Sequence, residues 1–298
     1  MKIDAEASRA AIARLAEPLG LSVMDTAQGI IRVVIANMAK AIRVISVERG
    51  YDPRDFTMLA FGGAGPIHAA RLAAELDIPR IMIPTYPGIM CAVGLLQSDL
   101  RTNISLTRMA RLEEGTIASL EAGFEQLGER AEEWFATEAI APEKRRLNRA
   151  IDMRYGGQGF ELTVDWPEDT PASGLLVALR QRFEAMHEQL YGYIAKDEPI
   201  QITTLRIEAV GLVPKADLPR HPAAQTPVEE AIVGERHVWL PERGEVTPSP
   251  LYARSKLAPG HVVKGPAVIE QMDSTTLVLP GQIASIDSHL NILLEPAT

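Results

Sequence analysis

Between Ser22 and Arg49, Ala27, Ile31, Val34, Met38, Ile42 and Ile45 recur at the three- and four-residue spacing of a helix, and Ile30 and Ile35 widen the stripe. This predicts one long amphipathic helix with its apolar face in a core. Ser22 opens it, with Asp25 three residues on as in a capping box, and Gly50 stops it. A shorter helix precedes it over residues 4–19, with Asp4 as N-cap, Ala7, Ala11, Ile12 and Leu15 inward, and Gly20 at its end. Two further stripes predict helices over 113–141 (Ile117, Leu120, Phe124, Leu127, Ala131, Phe135) and over 174–193 (Leu175, Leu179, Phe183, Met186, Leu190). Residues 150–166 read as a β stretch interrupted by Gly156, Gly157 and Gly159, and alternation of period two predicts strands through Phe160, Leu162 and Val164 within it and across 200–213, where Ile202, Leu205, Ile207 and Ala209 face inward. Short apolar runs between turns predict strands at 235–240, 262–263, 267–271, 275–279, 283–286 and 290–294, a β-rich C-terminal region. Residues 214–227, rich in proline and polar residues, read as a linker, and the loosened pattern over 100–112 reads as a domain edge.

One stretch combines both periodicities. Phe56 to Phe61 is an apolar run of strand length, Gly62-Gly63-Ala64-Gly65-Pro66 breaks it, and helix formers follow from Ile67 to Leu76. Ile81-Met82-Ile83 then supplies a second strand, so the unit is βαβ with a parallel pair. Glycines at a strand-to-helix turn let the backbone approach a ligand, and the helix N-terminus favours an anionic or nucleotide group. A tight connection without a ligand fits the local pattern equally well.

Composition narrows the function classes. The 298 residues suffice for two domains, and 46% hydrophobic with 23% charged residues is ordinary for a globular protein. A net charge of -9 gives no electrostatic case for nucleic acid or an anionic membrane. The N-terminal segment lacks the apolar core of a signal peptide and no run is long enough to span a bilayer, so a cytoplasmic protein is expected. The single cysteine, Cys91, excludes an internal disulfide framework and reads as a small buried hydrophobe within the apolar segment 89–96.

Familiar catalytic patterns are missing: the sequence has no H-E-x-x-H, Walker A or G-x-S-x-G motif. The six histidines are scattered without metal-ligand spacing, so no metal site is expected from this chain alone, and His187 reads as a packed or surface residue. Asp273-Ser274-Thr275-Thr276 reads as a turn or cap cluster rather than a catalytic site, and Tyr155-Gly156-Gly157-Gln158-Gly159 lacks the following helix of a phosphate cradle.

Residues 46–56 (SVERGYDPRDF) followed by 61–69 (FGGAGPIHA) resemble the hallmark of the hydantoinase A / 5-oxoprolinase family, and 154–162 (RYGGQGFEL) and 265–276 (GPAVIEQMDSTT) agree. That family includes N-methylhydantoinase A subunits and the nucleotide-binding subunits of acetone and acetophenone carboxylases. The resemblance implies an α/β fold: the end part of an actin-like ATPase lobe over residues 1–108, followed by an α+β, β-rich C-terminal domain over 109–298. It further implies that Gly62, Gly63, Ala64, Gly65 and Pro66 form an adenosine loop, that His68 stands in the first turn of the next helix, and, more weakly, that Lys40 or Arg43 approaches the adenine face. Neither of the family's phosphate motifs, G-x-D-x-G-G-T and D-x-G-G-[ST]-x-D, occurs in this sequence.

The implied function is therefore partial. The chain is expected to supply the adenosine side of an Mg-ATP site in a cyclic amide hydrolase or ketone carboxylase, and to be inactive alone because in-line phosphoryl chemistry needs the phosphate loops. The implied partners are a chain carrying the N-terminal ATPase lobe and a hydantoinase B-type subunit; catalytic residues and substrate stay open. The competing reading is a non-catalytic assembly subunit with a decayed nucleotide site.

Overall fold

The computed structural model describes residues 4–297. In chain order its main elements are α1 (Ala5–Leu19), α2 (Val23–Ile45), β1 (Thr57–Leu59), α3 (Gly65–Glu75), β2 (Arg80–Ile83), α4 (Met90–Gln97), β3 (Leu100–Arg111), α5 (Ile117–Thr137), β4 (Arg145–Tyr155), β5 (Leu162–Asp165), α6 (Ala172–Tyr191), β6 (Ile200–Gly211), β7 (Ile232–Leu240), β8 (Glu245–Ala253), β9 (Val262–Lys264), β10 (Ala267–Glu270), β11 (Thr275–Val278), β12 (Gln282–Ile286) and β13 (Ile292–Pro296). They form two units: residues up to Gly94 together with those from Asp217 onward, and the continuous stretch Leu95–Ala216. The expected mixed α/β class holds.

In the discontinuous unit β1 and β2 run parallel, as the βαβ reading requires, and the C-terminal strands complete their sheet in the order β1-β2-β13-β12-β9. A second sheet, β11-β10-β8-β7, shares one buried cluster with the first, including Ile83, Val263, Ile269, Val278 and Ile292, and the alanines of α3 pack against it. The Asp4 carboxylate accepts the Ala7 N–H at 2.9 Å and Ser22 accepts the Asp25 N–H at 3.0 Å, so both predicted N-caps form. Gly20 closes α1 in the left-handed region, and α2 ends at Ile45, with a short 3-10 turn from Val47 to Arg49 before Gly50.

The α2 stripe departs from expectation. Thr26, Ile35 and Ala39 are buried, but Ile30, Ile31, Val34 and Ile45 are exposed, as are Val33 and Val44. Helical spacing shows that a face is apolar; here α1 and α3 lie against it, the latter through Ile35, Ala39, Leu72 and Leu76, and cover it in part. Cys91 is likewise exposed rather than buried, because α4 has no buried residue at all.

The continuous unit is a four-stranded antiparallel sheet, β3-β6-β4-β5, packed against α5 and α6. All six predicted inward residues of α5 are buried. Leu175, Leu179 and Phe183 of α6 are buried, as is His187, whose Nδ1 lies 2.9 Å from the Tyr193 carbonyl and Nε2 3.2 Å from Gln158 Nε2. Phe160 is exposed, so the alternation begins at Leu162. Residues 100–111, where the sequence pattern loosens, form β3, an edge strand paired with β6, whose mostly polar, part-exposed residues hide the period. β8 was hidden too, by Pro248 and Pro250; around them only β7 pairs with the strand, so both prolines sit on an open edge.

Candidate nucleotide site

β1 ends at Leu59 and the chain turns sharply at Gly62, whose φ of +85° only glycine adopts without strain. The Gly62 N–H donates to the Pro87 carbonyl at 2.8 Å, tying this turn to the one after β2. Ala64 occupies the N-cap of α3 without a side-chain cap, Gly65 starts the helix, and Pro66 lies in its first turn and is buried. A Cβ built at Gly62 or Gly65 would meet nothing within 4 Å, so both face open space. His68 follows, half-buried, on the first turn. The structure thus brings Gly62, Gly63, Ala64, Gly65, Pro66 and His68 together at one helix N-terminus. The end has no side-chain cap and carries partial positive charge, though Pro66 has no N–H and the Ile67 N–H donates to the Ala64 carbonyl at 3.2 Å.

Arg43 is elsewhere. Its guanidinium reaches the Glu75 carbonyl at 3.2 Å and carboxylate at 3.4 Å, at the C-terminal end of α3. The length of that helix separates it from the glycine turn.

What sequence reading undervalued is the turn between β10 and β11. Ser274, 6% exposed, points its hydroxyl at the carbonyls of Gly62 and Gly63, at 3.3 and 3.2 Å. Asp273 accepts the Gly88 N–H at 2.9 Å on one carboxylate oxygen and Gln271 Nε2 at 2.6 Å on the other. The cluster is a turn, as read, but one that holds two other turns some 200 residues earlier in the sequence. Nothing local signals that; only the co-occurrence of both segments in the family pattern hints at it.

Beside this brace, a cavity of about 520 Å³ is lined by Tyr86, Ile89, Arg254, Glu270, Met272 and Asp273, among others. Arg254 Nη2 donates to the carbonyls of Ile83, Pro84 and Leu290 at 3.3, 3.0 and 2.8 Å, fastening the end of β2 to the segment before β13. Burial pushes its pKa down to about 10, against the opposing pull of the Asp273 and Asp287 charges. At the start of the βαβ unit the Arg54 guanidinium, hydrogen-bonded to Asp52, holds that exposed carboxyl down to about 2. Among the described residues no group of three or more His, Cys, Asp or Glu is placed to hold a metal ion.

The family model for hydantoinase/oxoprolinase matches residues 1–104, and that for the hydantoinase/oxoprolinase C-terminal domain matches 109–295. The chain belongs to the hydantoinase/oxoprolinase family. It is 36% identical over 296 residues to an uncharacterized protein of Methanocaldococcus jannaschii, covering 99% of this chain and 41% of that one. It is 30% identical to the caprolactamase subunit alpha of Pseudomonas jessenii, over 95% of this chain and 41% of the relative. The crystal structure of the ATP-dependent caprolactamase from that organism superposes with a TM-score of 0.89 over 99% of this chain and 43% of its own. Nucleotide-free acetone carboxylase, solved for the mechanism of ATP-dependent acetone carboxylation, superposes with a TM-score of 0.71 at 26% identity, over 99% and 43%. The chain therefore spans about two fifths of the length of these relatives. Among the described residues no helix is long and apolar enough to cross a membrane.

Proposed function

We propose that this hydantoinase/oxoprolinase family member supplies the adenosine side of an Mg-ATP site in an ATP-dependent enzyme that hydrolyses a cyclic amide or carboxylates a ketone. The observation that carries this reading is the glycine turn, open at Gly62 and Gly65 and set on the uncapped N-terminus of α3. Glycines there leave room for a flat base and ribose against the backbone. ATP dependence in the caprolactamase and acetone carboxylase relatives supports the choice of nucleotide.

The residues fit only that half of the ligand. Neither phosphate motif is in the sequence, and the turn itself carries no carboxylate for magnesium, so phosphate and metal contacts come from another lobe. In this reading residues 1–108 end an actin-like ATPase lobe and 109–298 form the C-terminal domain. A chain with the phosphate loops and a hydantoinase B-type subunit complete a cytoplasmic enzyme, and this chain alone is inactive. The names of the caprolactamase alpha and acetone carboxylase beta subunits support an assembly of several chains.

Calorimetry with a non-hydrolysable ATP analogue tests it, on the chain reconstituted with the phosphate-loop lobe. A Cβ at Gly65 would meet nothing within 4 Å, so Gly65→Asp is expected to fold with its side chain in the open space. Its carboxylate and bulk should cost at least about tenfold in affinity, or 1.4 kcal/mol. Equal affinity of the two proteins overturns the adenosine assignment and leaves the non-catalytic assembly role. Turnover of lactam and ketone substrates by the same assembly, with ADP, AMP and phosphate measured, identifies the substrate class.

A further inference from the structure

We infer that Asp273 and Ser274 are positioning residues, setting the conformation of the glycine turn through hydrogen bonds rather than through charge; the functional part of this inference rests on the adenosine reading above. The geometry is specific. Ser274 has one hydroxyl proton and shares it between the carbonyls of Gly62 and Gly63. Those are the two peptides at which the chain reverses, the first with φ of +85°. One residue earlier, the Asp273 carboxylate takes the Gly88 N–H. Gly88 is directly next to Pro87, whose carbonyl takes the Gly62 N–H at 2.8 Å. A closed circuit results: 62–63 to Ser274, Ser274 to its neighbour Asp273, Asp273 to Gly88, and Pro87 back to Gly62.

The brace itself is well anchored. Ile269 and Val278, in the strands on either side of the turn, are 1% and 0% exposed, and the Gln271 N–H closes the turn on the Ser274 carbonyl at 3.0 Å. A rigid hairpin can therefore hold a glycine turn that has no side chains with which to hold itself. Gly88 is part of the design, because a Cβ there would lie 2.7 and 2.8 Å from Asp273 Cβ and Cγ. A catalytic carboxylate at Asp273 would need its charge. A brace needs only an acceptor for Gly88, which an asparagine retains while the Gln271 amide turns to accept from it.

Hydrogen exchange of the full chain, followed by mass spectrometry, reads the brace directly. Ser274→Ala and Asp273→Ala should speed exchange about tenfold in peptides covering 61–66 and 86–89, with the β-sheet core unchanged, while Asp273→Asn stays at the wild-type rate. In the assembled enzyme the two alanine variants should raise the KM for ATP about tenfold with kcat unchanged, and Asp273→Asn should restore the wild-type KM. Wild-type exchange in both alanine variants overturns the inference, as does an Asp273→Asn protein as impaired as Asp273→Ala. If exchange responds as expected but Gly65→Asp leaves ATP affinity untouched, the brace stands and the adenosine assignment falls.

Discussion

Gly65 and Gly88 look alike in the sequence, each a turn glycine beside a proline, but their surroundings separate them. At Gly88 a methyl group collides with Asp273, whereas at Gly65 it meets nothing within 4 Å. Gly88→Ala should therefore destabilise the chain by about 1–3 kcal/mol through overpacking, seen as a lower urea midpoint. Gly65→Ala should be neutral or stabilise by up to ~1 kcal/mol, because alanine is the better helix residue. Only in the assembled enzyme should Gly65→Ala show a cost, as weaker ATP-analogue binding. A pair of urea unfolding curves and one titration check both. The same logic explains why Asp273 and Ser274 were legible as a turn but not as a brace: their partners are fixed by the packing of the hairpin, not by their neighbours.

Among the elements, α2 and α6 carry equally clear stripes and do different things with them. In α6, Leu179 and Phe183 are 0% exposed, whereas in α2 the stripe residues Ile30 and Ile45 are 40% and 61% exposed. Leu179→Ala should cost about 2–5 kcal/mol through lost burial and a residual cavity. Ile45→Gln should shift stability by less than about 0.5 kcal/mol in the chain alone, since that side chain is mostly exposed. Chemical denaturation of the two variants side by side checks the contrast. Periodicity reports that a face is apolar, while burial depends on what covers it. Strands β3 and β8 mark the opposite failure: as an edge strand and a proline-bearing strand they lack the pattern and are recognisable only by their partners.

Over the whole molecule, connectivity and compactness diverge. The stretch Leu95–Ala216 is continuous and owns a complete core, from Ile104 through Phe135 and Ile151 to Ala209. Expressed alone it should fold cooperatively, with a sigmoidal circular-dichroism melt. Residues 4–94 should not, because β2 has β13 as its second partner and the cluster around Ile81 and Ile83 is filled by Val263, Ile269 and Ile292. A broad, non-cooperative melt of that fragment is the expected result, and a sharp one would contradict the sheet order.

The sequence by itself determined what rests on near neighbours: the caps at Asp4 and Ser22, the βαβ unit around the glycine turn, the inward faces of α5 and α6, and most C-terminal strands. Through its motifs it also determined the family. The tertiary structure decided what depends on long-range contact: the exposure of the α2 stripe and Cys91, the strands β3 and β8, the return of β13 to β2, and the grip of Asp273 and Ser274 on the glycine turn. The division follows from range. Capping and periodicity are satisfied within a few residues, so they are written locally. A hydrogen bond between Ser274 and Gly62 forms only after two sheets have packed, and no local pattern encodes it.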